Sequence, residues 1–193
     1  MRSSLLSLVS APALLASTTF AQLQTLPYNF TLAALNTTLP NTNDTGVSLV
    51  LGLEFVFDYS AIYWTSTYAS AHNNTFPSLG LVEGALHAYG GSNDSWCGHQ
   101  AVRCGSGDSI GWFSSENGPP GADVFSVLAA AEGHKFPTLA VHGEDSLWSI
   151  CPTGNDWGLN EMYYNISSTD TWEGNRVVVE DCYGVILRVV PLD

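Results

Sequence analysis

Basic side chains are scarce: five lysines and arginines stand against eighteen aspartates and glutamates in 193 residues, a formal net charge of −13 at pH 7. A chain so acidic repels phosphate backbones, anionic lipids and acidic polysaccharides, and this excludes nucleic acid as a partner. Long apolar runs are missing too. The stretch from Leu5 to Ala16 is too short to span a bilayer, and no later segment approaches about 18 uninterrupted apolar residues, so no membrane attachment is expected. There is no C-x-x-C pair, and His72, His87, His99, His134 and His142 show neither H-x-H nor H-x-x-x-H spacing. Those are the patterns from which zinc and copper sites are commonly built, so no metal and no cofactor is expected. Charged residues make up only 12% of the chain, beside abundant Gly, Ser, Thr and Asn, which describes a polar, weakly charged exterior rather than an acidic disordered tail. Internal repeats, low-complexity tracts and linkers are absent as well.

The chain opens with MRSSLLSLVSAPALLASTTFAQLQ, in which one arginine precedes the short apolar run and Thr19-Phe20-Ala21 offers the small-residue pattern of a signal-peptidase site. Residues 1–21 are therefore expected to be a signal peptide, with 22–193 as one secreted domain. The C-terminal CYGVILRVVPLD carries Arg188 and lacks the polar spacer and long tail of a lipid-anchor signal. Six N-x-[ST] sequons, at Asn29, Asn36, Asn43, Asn73, Asn93 and Asn165, fit the same route, since sugar is added only along it. One or two of them are expected to stay unoccupied.

Four cysteines, Cys97, Cys104, Cys151 and Cys182, permit three pairings in an oxidising compartment. The expected set is Cys97 with Cys104, closing the Gly-containing loop CGHQAVRC, and Cys151 with Cys182, tying two apolar strand candidates together.

Apolar, β-branched and aromatic runs recur at short spacing between Gly, Pro, Asn and Asp clusters: FTLAAL, GVSLVLGLEFVF, AIYWTSTY, GALHAYG, SIGWFSS, DVFSVLAA, TLAVHG, SLWSIC, NEMYYNIS, RVVVEDC and GVILRVV. The expected fold is all-β, a single-domain antiparallel β-sandwich or barrel with disulfides. ADVFSVLAAAEG is the one helical suspect, though it also suits a strand and turn.

Three motifs bear on catalysis. GDSIG, residues 107–111, satisfies G-x-S-x-G, but a nucleophile elbow needs a helix after Ser109 where this chain offers a short strand and a Pro-Gly turn. Glu54 and Asp58 share strand parity, a geometry that serves a sugar-cleaving pair and a solvated sheet face alike. HGEDSLWS reads as strand, turn, strand, which places His142, Glu144 and Asp145 at a hairpin tip rather than in a catalytic set, with Trp148 buried on the following strand. No catalytic residue is assigned.

From GALHAYG through SIGWFSS and TLAVHGEDSLWSICPTGNDWGLNEMYY to DCYGVILRVV, residues 84–190, the chain resembles the secreted fungal cell-wall proteins of the phialide (PhiA) type. The shared pattern is Gly-Ala-Leu with a nearby Tyr, an Ile-Gly-aromatic strand, a Cys-Pro pair, and a late Cys followed by Gly and an apolar strand. Cys97 and Cys104 have no counterpart in that pattern. The resemblance implies a wall-associated protein with a structural or associative role and no catalysis. A second reading is a carbohydrate-binding module, with Trp157 and Trp172 in polar loops as the candidate contacts and a neutral cell-wall polysaccharide as partner. A secreted hydrolase using Ser109 is the third.

Overall fold

The computed structural model describes residues 22–57, 60–90, 99–114, 120–154, 158–167 and 177–192. The signal segment 1–21, Asp58, Asn93, Trp96, Cys97, Trp157 and Trp172 lie outside the described residues. In chain order the strands are β1 (Gln22–Leu23), β2 (Phe30–Asn36), β3 (Val47–Phe57), β4 (Ser60–Thr67), β5 (Ser78–Val82), β6 (Ala85–Tyr89) and β7 (His99–Arg103). They continue with β8 (Gly111–Ser114), β9 (Phe125–Leu128), β10 (Thr138–Val141), β11 (Trp148–Pro152), β12 (Asn160–Tyr164) and β13 (Tyr183–Pro191). The helical suspect is thus the strand β9. RVVVEDC departs from the strand expected of it: Val179–Asp181 forms a 3-10 turn, with Asp181 and Cys182 amides bonding back to Val178 and Val179. One four-residue helix, Tyr68–Ala71, follows β4.

The expected all-β antiparallel fold is the one observed, and of the two architectures it is the barrel. Strands β2, β3, β4, β12, β11 and β13 pair in a closed circuit of six, every pairing antiparallel. The seam is the ladder between β2 and β13, running from Val185 opposite Asn36 to Pro191 opposite Phe30. Period-two alternation makes both strands: Phe30, Leu32 and Ala34 on one and Val185, Leu187 and Val189 on the other are buried, each at most 2% exposed. Outer strands β5, β6, β7 and β8 leave β2 at the Phe30–Leu79 pair and rejoin β4 through β8. On the other flank, β10, β9 and β1 extend the sheet from β13.

One apolar core connects the barrel to both flanks, with Ile110, Trp112, Phe125, Leu139, Trp148 and Met162 fully or almost fully buried in it. Its two tryptophans each satisfy the indole N–H: Trp112 donates to Thr65 Oγ1 at 2.9 Å and Trp148 to the Leu139 carbonyl at 2.9 Å.

Cys151 and Cys182 are bridged, as expected. The expected Cys97–Cys104 bridge is corrected: Cys104 is a free thiol just past β7, 5% exposed within the apolar core. Burial first and the Asp108 carboxylate second push its ionisation far above the ordinary thiol value, so it stays protonated and inert.

Candidate functional site

The β5–β6 hairpin divides its residues cleanly between two faces. Leu79, Leu81, Leu86 and Ala88 point into the core, at 6% exposure or less. The cross-strand pairs Ser78–Tyr89, Gly80–His87 and Val82–Ala85 occupy the other face. A two-residue turn with left-handed φ at both Glu83 (49°) and Gly84 (82°) closes the hairpin, the geometry that matches strand twist.

Along the β5 edge of this hairpin runs the segment leading into β2, held by a set of hydrogen bonds. The Gly84 amide donates to the Gln24 carbonyl (2.8 Å), Leu26 to Leu81 (3.0 Å) and Leu192 to Asn29 (3.0 Å), while the Glu83 amide donates to Thr25 Oγ1 (2.9 Å). Between segment and hairpin lies an open groove of about 640 Å³, lined by Leu26, Pro27, Tyr28, Asn29, Ser78, Gly80, Leu81, Val82, Tyr89 and Leu192. Several of the chain's exposed large apolar side chains gather here: Tyr28, Val82 and Leu192 are 36%, 43% and 42% exposed. Scattered single apolar residues on a surface mean little, whereas these three border one groove.

Gly80 is what lets Tyr89 lie down. A Cβ at that position would stand 2.8 Å from both the Cε2 and the hydroxyl oxygen of Tyr89, so the ring crosses the strand where any other residue would lift it. The His87 ring lies parallel to Tyr89, 10° between planes and 6.4 Å between centroids. The groove therefore offers tyrosine surfaces, polar rims and a fixed backbone frame, and its lining holds no cysteine, carboxylate or lysine. That combination suits stacking on the C–H face of a neutral sugar ring, with hydroxyls at the rims.

Burial holds His87 below the ordinary histidine value. Its folded form thus prefers the neutral ring, so the stability it contributes is present above the unfolded value of about 6.5 and lost as pH falls through the folded one. The expected result is a melting temperature that drops as buffers are acidified below about pH 6.5, with a shallower drop in His87→Gln. Thermal unfolding across a buffer series measures it; an unchanged slope in the variant would assign the acid sensitivity to other groups.

Other sequence-derived candidates fall elsewhere. Ser109 is 3% exposed, pairs with Tyr163 in an isolated bridge and leads directly into β8, and its hydroxyl is buried without a hydrogen-bond partner. His142 (φ 51°) and Gly143 (φ 85°) form the centre of a tight turn closed by reciprocal amide bonds between Val141 and Glu144. Asp145 accepts a 2.6 Å hydrogen bond from Thr138 Oγ1, so this trio is a hairpin tip and its brace, as the sequence suggested. Glu161 is sealed at 2% exposure, with the Tyr163 hydroxyl donating to it at 3.0 Å. The side chain of Glu54 and all of Asp58 lie outside the described residues. Among the described tryptophans, Trp112 and Trp148 are core and Trp64 is half-buried, so the aromatic platform found here is built from tyrosine. Five of the six sequon asparagines are described, and none of those is buried.

A second groove, about 520 Å³, has charged walls, with Asp44 facing Gly133, His134 and Lys135. Beside it, buried Arg188 donates Nη1 to the Phe136 carbonyl and Nη2 to His134 Nδ1, both at 2.9 Å. A guanidinium can only donate, so in this pair the His134 ring nitrogen is the acceptor. Among the described residues no three His, Cys, Asp or Glu converge as a metal site, and no helix is long and apolar enough to cross a membrane.

Tyr28, Tyr89 and His87 were not singled out from the sequence as site residues. The one local signal for them is Gly80 inside the apolar run SLGLV, a glycine in a strand where something approaches closely. Comparison with protein-family models, curated proteins and solved structures returns no match.

Proposed function

We propose that this chain is a secreted, glycosylated protein of the phialide type that serves the fungal cell wall by association rather than catalysis, and that its tyrosine groove is where it meets neutral wall polysaccharide. The observation that carries the reading is the groove itself, in which Tyr89 lies flat over Gly80 with exposed Tyr28 on the facing wall. Secretion is supported by the signal pattern before Gln22, by the sequons, and by a disulfide of the kind that persists in oxidising compartments. The acidic surface disfavours anionic polymers and exacts no like-charge penalty from β-glucan or chitin.

The test is retention on insoluble β-glucan and chitin. Wild-type protein is expected to bind weakly, and Tyr28→Ala and Tyr89→Ala each to lose on the order of 1 kcal/mol, roughly five-fold in affinity. Retention equal in wild type and both variants, or none in the wild type, would remove the groove from the function. N-terminal sequencing of secreted material is expected to begin at Gln22, and Met1 on that material would overturn the secretory reading.

A further inference from the structure

Of the five described sequon asparagines, one stands on the wall of the tyrosine groove. Asn29 lines it together with Tyr28 and Tyr89, and its side chain is exposed and makes no hydrogen bond. Three other sequon asparagines, Asn36, Asn43 and Asn165, are engaged through their side chains. Asn36 Oδ1 accepts from the Thr38 and Leu39 amides (2.8 Å each), Asn43 Oδ1 accepts from those of Thr45 and Gly46, and Asn165 Nδ2 donates to Ser106 Oγ at 2.9 Å. The Asn29 backbone is fixed as well, through its carbonyl to the Leu192 amide and through the neighbouring Phe30 paired with Leu79. A sugar on Asn29 Nδ2 therefore starts at the groove wall.

We propose that the first sugars of an N-glycan on Asn29 lie in the tyrosine groove, making the chain's own glycan an intramolecular cap that competes with external polysaccharide. This rests on the secretory reading given above, since only that route attaches the glycan. Three things support it. At about 640 Å³ the groove falls in the range that holds small ligands, and it mixes apolar surface with polar groups, as sugar rings require. The hydrogen bonds of residues 24–26 with the hairpin and of Asn29 with Leu192 form the site in advance, so docking a sugar orders little of the protein. Finally, a short tether supplies an effective concentration on the order of millimolar, which populates a contact too weak to hold a free monosaccharide and disfavours an untethered competitor. The groove's affinity for the wall is then set by whether Asn29 is glycosylated.

The experiment compares wild type, Asn29→Gln, Thr31→Ala and Asn73→Gln, all secreted from a glycosylating host. Thr31→Ala removes the Asn29 sequon while keeping the asparagine, and Asn73→Gln removes a sequon that does not line this groove. Each protein is treated with tetranitromethane, and nitration of Tyr28 and Tyr89 is followed by peptide mapping. Both tyrosines are expected to nitrate several-fold faster in Asn29→Gln and Thr31→Ala than in wild type or Asn73→Gln. Equal rates in all four, or a wild-type Asn29 peptide found without glycan, would overturn the cap. Retention on β-glucan is read separately and is expected to rise several-fold in the two Asn29-sequon variants. If the nitration difference stands and no form binds polysaccharide, the cap holds and the polysaccharide reading of the groove falls. If nitration is equal and binding is seen, the reverse holds.

Discussion

Replacing Trp148 with alanine is expected to lower stability by about 3 to 5 kcal/mol, the range for deleting a large buried aromatic side chain. The indole is 1% exposed, its N–H holds the Leu139 carbonyl of β10, and its ring meets Tyr164 edge-on at 5.0 Å between centroids. Tyr164 in turn donates its hydroxyl to the Val141 carbonyl at 3.1 Å. Truncation therefore opens a cavity, orphans one carbonyl and removes the support of a second contact to the same strand, which is how β10 is fastened over β11 and β12. Trp148→Phe keeps most of the apolar volume and loses the hydrogen bond, so it should cost roughly half as much or less. Denaturant unfolding of the three proteins measures this. A loss below about 1 kcal/mol for the alanine variant would show that the site collapses around the gap instead of staying open.

The second large effect concerns the covalent tie. Cys151 and Cys182 are 31 residues apart, and cross-linking ends at that separation removes loop-closure entropy from the unfolded chain worth about 3 to 4 kcal/mol. The double variant Cys151→Ala/Cys182→Ala should lose about that much. Alanine is the right replacement at 151, where the side chain is fully buried and a serine hydroxyl would lack a partner. Because Cys104 is a free thiol, treating the native protein with reductant should reproduce the loss and leave the double variant unmoved. A reductant effect of equal size in the double variant would mean that another bridge carries the stability.

Both effects depend on strands that are plain in the amino-acid pattern. FTLAALN, YGVILRVVP, SLWSIC and NEMYYNIS are short runs of apolar, β-branched and aromatic residues between turn formers, so β2, β13, β11 and β12 are expected where they occur. SLGLV carries a central glycine and HQAVR is mostly polar, so neither reads as a strand by itself; neighbouring strands, not local propensity, make them β5 and β7. RVVVEDC has strong β-propensity and still turns, since the chain must bend there to bring Cys182 to Cys151.

The groove was hidden for a different reason. It is assembled from residues 26–29, 78–89 and 192, which share no spacing, and Tyr28 after Pro27 reads as a turn in isolation. Tryptophan is the larger platform, yet the fold uses Trp112 and Trp148 in the core and leaves Tyr28 at the surface. The Cys97–Cys104 expectation failed because proximity in sequence says nothing about direction: Cys104 points into the apolar core.

The β2–β13 seam has a consequence for how the molecule comes into being. Residues 30–36 leave the ribosome early, yet the partners that saturate one edge of β2 are residues 183–191, about 150 positions later. Until those arrive, β2 presents an unpaired edge of backbone donors and acceptors flanked by Phe30 and Leu32, a ready template for another growing chain. Barrel closure therefore waits until β13 has been made, delayed by the long loop that must be closed to reach it. On the secretory reading proposed above, sugars at Asn29 and Asn36, one at each end of the strand, would stand beside that edge until β13 arrives.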